Sequence, residues 1–583
     1  MGFNLYEITR FVFQVPTTYV IESLDTACVG RFLVFWATKF QLMKQILIVL
    51  LVSLTLSLQG QEWPRELLTH PELTAYRETS SYEQVMGVVK AAIKDSPYAH
   101  LISMGQSKEG KDIPVVVMAN PKVTSAEEAK ATGKPIIYVQ GNIHSGEVEG
   151  KEALQVLLRE ILKGERSYLL DNQILLFAPI YNTDSNDKME QGRRPSQEDS
   201  PVKVGIRANS QGWDLNRDGM KAEALETQGL FQNIIVPWDP ALFVDLHTTN
   251  GVWHGYSLTW APSYHTAGEK APFDYTWNKI LPDVTDRVLK DYGIYLGPYG
   301  YFYTRSEGWP IKSIYTYNHH PRYLVNQFGL RNRMAILSEA FAHERLYQRM
   351  ASTYAFVREI LEYTHKHGRE ILEVNKTAEE AAIRLVKEQA GKVKKGVRFE
   401  MVAMEEPIDE YRIYNHAKTT NAQGQEQYIR LPEIITLKNV ENHSAFNATV
   451  TATLPRGYVI PKEMGHIAAH LQMLGAKVDT LTRNSRATGE VFTATGLELA
   501  NRPFEGHNMA TLEGSFSSQT RRFSKGDFYI DLAQPLANLI FYLMEPQSDD
   551  GLVTWNFFDA YFEKQNIAEK PVEYPIFKYF ELK

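Results

Sequence analysis

Short continuous apolar runs alternate with stretches of helical period through the first two-thirds of the chain. Residues 113–118 (IPVVVM), 135–140 (PIIYVQ), 174–180 (ILLFAPI), 241–246 (ALFVDL) and 334–338 (MAILS) each read as a strand buried on both faces. Between them the apolar spacing turns to three and four. It predicts helices over 147–163, over 222–235 and over 344–390, the last broken near Gly368. The segment 63–95 is mostly helical in pattern, with a serine at 80–81 placed to cap its second half. Residues 182–210 form a polar loop. Apolar strands separated by helices predict an α/β domain: a mainly parallel mixed sheet flanked by helices.

The pattern changes near Lys392, where KVKKG marks a boundary. Beyond it strand-like runs dominate (RFEMVAM, EYRIYNH, EQYIRLPEIITL, NATVTATLP). One βα-like unit over 458–481 and an aromatic-rich end follow. The expected organisation is an upstream extension and signal segment over 1–60, a catalytic domain over 61–365, a helical linker over 366–395 and a smaller α+β domain over 396–583. A net charge of −7 and the lack of any Lys/Arg-rich run argue against nucleic acid as a partner.

Residues 43–60 (MKQILIVLLVSLTLSLQG) have a charged start, a short apolar core and a small residue at the end, the order of a secretory signal. The expected location is therefore periplasmic or secreted, with membrane contact only through this segment. Translation is expected to begin at Met43, which removes 1–42 and with it Cys28, the single cysteine. The remaining chain has no thiol, so a metal would have to be held by histidines and carboxylates.

Three of the apolar runs end in residues suited to that task. His144 and Glu147 follow the 135–140 run, His247 follows 241–246, and Glu339 follows 334–338. Ligands of open α/β sheets bind beyond the carboxyl ends of the strands. If these strands are parallel neighbours, all four side chains enter one crevice. Two histidines and a glutamate form a known catalytic zinc set, and a further carboxylate such as Glu339 can act as base. Glu149 and Asp245 lie close enough in sequence to orient a ligand imidazole, or else are plainly solvated. The pair His319–His320 reads as a loop pair, and His343–Glu344 lacks the second histidine of a two-histidine helix, since position 347 is Tyr.

These residues resemble the zinc carboxypeptidases, the metallocarboxypeptidase family, in a secreted bacterial form with a C-terminal accessory domain. The resemblance covers 80–343 and includes the block RANSQGWDLNRD. It implies one Zn2+ per catalytic domain, held by His144, Glu147 and His247. It also implies Glu339 as the catalytic glutamate, Arg207 as the group that polarises the scissile carbonyl, and Asn216 with Arg217 as the grip on a terminal carboxylate. A substrate-capping tyrosine is expected; Tyr317, 22 residues ahead of Glu339, fits the interval, with Tyr315 as rival. The family's N-P-D-G is here Asn182-Thr183-Asp184-Ser185. The implied activity is hydrolysis of C-terminal peptide bonds on peptide or protein substrates. A related zinc amidase acting on cell-wall peptides or acyl amino acids, and a binding protein with a vestigial metal centre, remain alternatives.

Overall fold

The computed structural model describes residues 63–198 and 201–583. The predicted signal, 43–60, and the residues ahead of it lie outside the described residues. Among the described residues no helix is long and apolar enough to cross a membrane.

The large sheet contains β1 (Ala99–Gln106), β2 (Asp112–Met118), β3 (Ile136–Gly141), β4 (Ile174–Ala178), β5 (Leu242–Thr248), β6 (Leu258–Pro262), β7 (Leu296–Pro298) and, after the short β8 (Ser313–Tyr315) of another sheet, β9 (Met334–Ala340). Its order is β1-β2-β4-β3-β5-β9-β6-β7. The four central strands β4, β3, β5 and β9 are mutually parallel. Antiparallel pairs join β1 to β2, β2 to β4, and β9 to β6. The mixed, centrally parallel sheet was therefore legible, but β1, β6 and β7 were not. β1 (AHLISMGQ) is an edge strand with half its side chains partly exposed, so it lacks a continuous apolar run.

Helices that bear on the sheet include α1 (Tyr82–Ile93), α2 (Glu149–Lys163), α3 (Leu281–Tyr292), α4 (Leu324–Leu330) and the long α5 (Leu346–Gln389). Ser81 opens α1 with a reciprocal cap, its hydroxyl facing the Gln84 N–H and its own N–H donating 2.8 Å to the Gln84 side chain. α5 runs unbroken through Gly368, contrary to expectation. The glycine serves packing: a Cβ there would sit 2.6 Å from Pro135 Cγ, at the entry to β3.

After α5 come β10 (Lys394–Val402), β11 (Ile408–Thr420), β12 (Glu426–His443), β13 (Ala445–Thr453) and β14 (Gly457–Ile460). α6 (Gly465–Met473) precedes β15 (Asp479–Thr480), β16 (Ser485–Leu499), β17 (Ala510–Phe523) and β18 (Phe528–Asp531), and α7 (Ala537–Met544) precedes β19 (Val572–Glu573) and β20 (Phe577–Leu582). β11 and β12 form a long ribbon whose second strand pairs in parallel with β8. β15-β18-β14-β20-β16-β17, with β19 on β16, make a second large sheet. Residues Arg65–Lys583 form one compact unit, and one apolar cluster runs from Phe243 and Phe328 under the first sheet to Phe541 and Trp555 beyond α7.

Candidate metal centre and active site

The sheet register brings the proposed site together. His247 and Glu339 are Cα partners on the parallel strands β5 and β9, and Gly141, the last residue of β3, pairs with Leu246. Both His247 and Glu339 lie inside their strands, one residue before the end, because the β5–β9 ladder continues through polar residues. His144 and Glu147 lie in the turn after β3, closed by the Glu147 N–H donating 2.9 Å to the His144 carbonyl. α2 starts only at Glu149. Two glycines let that turn sit low on the sheet. A Cβ on Gly141 would lie 2.8 Å from the Gly150 carbonyl carbon, and one on Gly150 would lie 2.6 Å from Leu246 Cβ.

His144, Glu147 and His247 are all buried, and their donor atoms lie within 4.8 Å of one another. The two Nδ1 atoms are 3.2 Å apart; Glu147 Oε1 is 3.1 Å from His144 Nδ1, and Oε2 is 2.9 Å from His247 Nδ1. Ligand atoms around tetrahedral zinc are spaced about 3.4 Å apart, so the set needs only small adjustment. The outward faces of both rings meet carboxylates: His144 Nε2 is 2.8 Å from Asp214 Oδ1, and His247 Nε2 is 2.9 Å from Asp245 Oδ2. The Asp214 carboxylate favours a proton on His144 Nε2 and a lone pair on its Nδ1, the arrangement that orients a metal-binding histidine, while Asp245 stands at ion-pair distance from His247 Nε2. Two lone pairs and a carboxylate then converge on one point, and that donor set fits Zn2+.

Charge supports the same fit. Around the pocket stand the carboxylates of Glu147, Asp214, Asp245 and Glu339. The guanidinium groups are those of Arg194, 2.9 Å from Glu147 Oε1, of Arg207, 3.2 Å from Glu147 Oε1 and 2.9 Å from Asp214 Oδ2, and of Arg217, 3.9 Å from Asp214 Oδ2. Burial alone would raise the Glu147 carboxyl, but His144 and Arg194 hold it well below the usual carboxylate range. Burial would lower His247, yet Asp245 and then Glu147 push it well above the ordinary imidazole range. Burial raises Glu339 to about 8, only partly opposed by His247. A divalent cation bound here would displace those protons from His247 and Glu339, because its charge favours the unprotonated ligand and base.

The pocket above these groups encloses about 90 Å3 and is lined further by Asn216, Arg217, Asn250, Tyr299, Tyr301, Tyr317 and Tyr323. Glu339 Oε2 is buried with no hydrogen-bond partner among the described residues. Asn216 Oδ1 accepts the Leu324 N–H at 3.1 Å, which fixes its amide. Arg217 donates 2.8 Å to the Asn216 carbonyl and lies 4.4 Å above the Tyr323 ring. Tyr317 lines the pocket, but its hydroxyl is 3.2 Å from the Pro262 carbonyl and 3.4 Å from Asn326 Oδ1. Tyr315 lies on β8, where its ring faces His443. The Asn182–Ser185 segment forms a buried helical turn, and Asp184 there takes hydroxyl bonds from Ser107 at 2.6 Å and Ser210 at 2.8 Å.

Some site residues escaped the sequence. Arg194 lies in the polar loop, where no periodicity marks it. Asp214 sits inside RANSQGWDLNRD, yet its bond to His144 needs the fold to be seen. Glu149 does reach the site's back wall, accepting from the Thr248 hydroxyl and lying 3.3 Å from Arg349 Nε. His319 and His320 lie far along the loop ahead of α4, where His319 Nε2 is 3.0 Å from Asp549.

Residues 85–233 match the family model described as zinc carboxypeptidase, a span that includes His144, Glu147, Arg207, Asn216 and Arg217. The chain is 22% identical over 465 residues to "Carboxypeptidase 2" of Trichophyton equinum, covering 77% of this chain and 78% of that protein. It is 29% identical over 153 residues to "Carboxypeptidase D" of Mus musculus, covering 23% of this chain and 11% of that protein. Among solved structures, a metallo-carboxypeptidase from Burkholderia cenocepacia aligns over 50% of this chain and 70% of that one, at 15% identity and a TM-score of 0.37. With the match over 85–233 and a His-Glu-His site fit for zinc, the chain carries a segment that matches the zinc carboxypeptidases and is a zinc metallopeptidase by class.

Proposed function

We propose that the protein is a zinc-dependent carboxypeptidase that removes the terminal residue of peptides bearing a free C-terminal carboxylate, in the periplasm or outside the cell. The observation that carries this reading is the meeting, around one buried pocket, of the His144–Glu147–His247 set, a carboxylate base and two arginines. Its location rests on the 43–60 segment alone. Arg217, steadied by its stack on Tyr323, offers a planar donor pair to the substrate carboxylate, with the Asn216 amide beside it. Arg207, more exposed than the ligands, donates toward the scissile carbonyl oxygen as negative charge develops on it.

His144, Glu147 and His247 would hold a zinc ion, which would supply Lewis-acid chemistry to polarise the carbonyl and acidify a water. Glu339 takes a proton from that water as its oxygen adds to the carbonyl carbon. The same carboxyl then delivers the proton to the amide nitrogen as the C–N bond breaks. Asp214 and Asp245 hold the imidazoles in place throughout.

The test is zinc content of the purified protein together with cleavage of paired peptides that end in a carboxylate or in an amide. Release of single terminal residues from the free acids, with the amides resistant, is expected. Equal cleavage of both would refute the carboxylate clamp and favour the amidase alternative.

A further inference from the structure

The C-terminal region reaches the metal centre at one point. Residues 504–507 form a tight turn: the Phe504 N–H donates 2.8 Å to the His507 carbonyl, and the His507 N–H returns 3.0 Å to the Phe504 carbonyl. Glu505 (φ +51) and Gly506 (φ +84) both have left-handed backbones. Such turns favour Asn, Asp or Gly at the first of these positions, and a glutamate there is sterically disfavoured. Strained residues in native folds tend to sit at working sites, and the side chain of this one has a specific task. Glu505 Oε2 accepts the Asp214 N–H at 2.8 Å, across 291 residues of chain.

Asp214 is a junction. One carboxylate oxygen takes the His144 ring at 2.8 Å and the Asn216 N–H at 2.9 Å; the other takes Arg207 Nε at 3.0 Å. A shift of the Asp214 backbone would therefore move a ligand ring, the proposed oxyanion donor and the start of the carboxylate clamp together. The turn itself is docked without Glu505: His507 bonds Glu223 at 3.0 Å and Asn556 at 3.0 Å, and the Arg322 guanidinium lies 5.3 Å above the Phe504 ring.

We propose that Glu505 is a positioning residue of the metal centre, pinning Asp214 so that His144 and Arg207 keep their geometry. The C-terminal region is then a part of the working site, although Glu505 lies well outside the segment that matches the family. The catalytic half of this statement rests on the carboxypeptidase reading; the metal-binding half does not.

The experiment uses the full chain with two variants. Glu505→Asn places the favoured residue in the turn but cannot reach Asp214. Glu505→Gln keeps an oxygen that can accept the same N–H. For Glu505→Asn we expect a Tm equal to or above wild type. We also expect zinc affinity, measured by chelator competition, to weaken by about 3–10-fold, somewhat less than for loss of a group bonded directly to a ligand. Turnover of a free-acid peptide should fall by a similar factor, in kcat rather than KM. Glu505→Gln should keep at least half of the zinc affinity and of the turnover. Zinc affinity of Glu505→Asn within twofold of wild type would overturn the proposal. So would a fall of Tm and activity together in both variants, which marks a purely structural role. A wild-type protein that binds zinc but cleaves no peptide would sink the carboxypeptidase reading, while the zinc titration would still decide on Glu505.

Discussion

The strand ends of the first sheet and the C-terminal region contribute to the site in opposite ways. The first region supplies the groups that would touch metal and substrate: the strand ends give His144, Glu147, His247 and Glu339 on a register set by adjacent parallel strands, and the chain between β4 and β5 gives Arg207, Asn216 and Arg217. The C-terminal region supplies carboxylates that grip the first region from behind. Glu505 holds the Asp214 N–H, Asp549 meets His319, and Asp550 binds the Arg322 backbone at 2.7 Å and its guanidinium at 2.8 Å. The difference teaches where chemistry and rigidity come from here: the first region carries the reactive groups, and the second braces the loops that hold them.

The sharpest division between the two is a pair of variants with different readouts. Glu339→Gln should lower kcat by about 10²–10⁴-fold, the usual contribution of general acid–base catalysis, with zinc content and stability unchanged. Full activity with zinc retained would remove Glu339 from its role. On the other side, Asp550→Ala leaves a buried guanidinium without its charged partner. Denaturant unfolding should show a loss of about 3–5 kcal/mol. Burial raises the Asp550 carboxyl to about 6, against the pull of Arg322. A carboxyl raised on folding favours the protonated folded state, so its contribution is complete below the ordinary value of 3.8 and is lost as pH rises through about 6. Asp550→Asn, which cannot ionise, should flatten the stability profile across that window; an unchanged slope would show that the carboxyl titrates normally.

Asp214→Asn tests the junction between the regions. The amide can no longer serve as a charged acceptor for both His144 and Arg207, and zinc affinity should fall by about 10–100-fold. Asp245→Asn should act in the same direction on His247, because its carboxylate is 2.9 Å from that ring and is itself held by Gln140 at 3.0 Å. If only Asp214→Asn weakens zinc, the two histidines are not supported symmetrically and the bracing from Glu505 gains weight.

How far the sequence carried this picture follows from the range of each interaction. The strands β3, β4, β5 and β9 were legible because strands buried on both faces are written as continuous apolar runs. Placing His144, Glu147, His247 and Glu339 near their carboxyl ends needed only the rule that such sheets bind ligands there, although His247 and Glu339 turn out to lie within the last two residues of their strands. β6 was missed because LTWAP is short and a threonine interrupts its apolar residues, and β7 because LGP is too short to show alternation. Gly368 was read as a break because glycine costs a helix about 1 kcal/mol relative to alanine. Its reason, the contact with Pro135, appears only in three dimensions. Arg194 and Glu505 meet their partners across 47 and 291 residues, and no local pattern encodes such a meeting.

The smallest expected effect concerns Tyr317. Its position ahead of Glu339 suits a substrate-capping role, yet its hydroxyl faces the Pro262 carbonyl and Asn326 rather than the open pocket. Its ring also packs among Tyr264, Tyr299 and Tyr323. Tyr317→Phe keeps that packing and removes one hydrogen bond, so stability should fall by about 1 kcal/mol. The Pro262 carbonyl or the Asn326 side chain, whichever takes the single hydroxyl proton, would lose its donor, which is a cost to the wall and not to the reacting atoms. Turnover should therefore stay within about threefold, since no bond to the substrate depends on the hydroxyl where it now lies. A tenfold fall in kcat with unchanged stability would reverse that assignment: the hydroxyl would have to leave the wall and turn onto the substrate when it binds. Tyr323→Ala supplies the control, because removing the ring under Arg217 should act on KM whichever way Tyr317 turns.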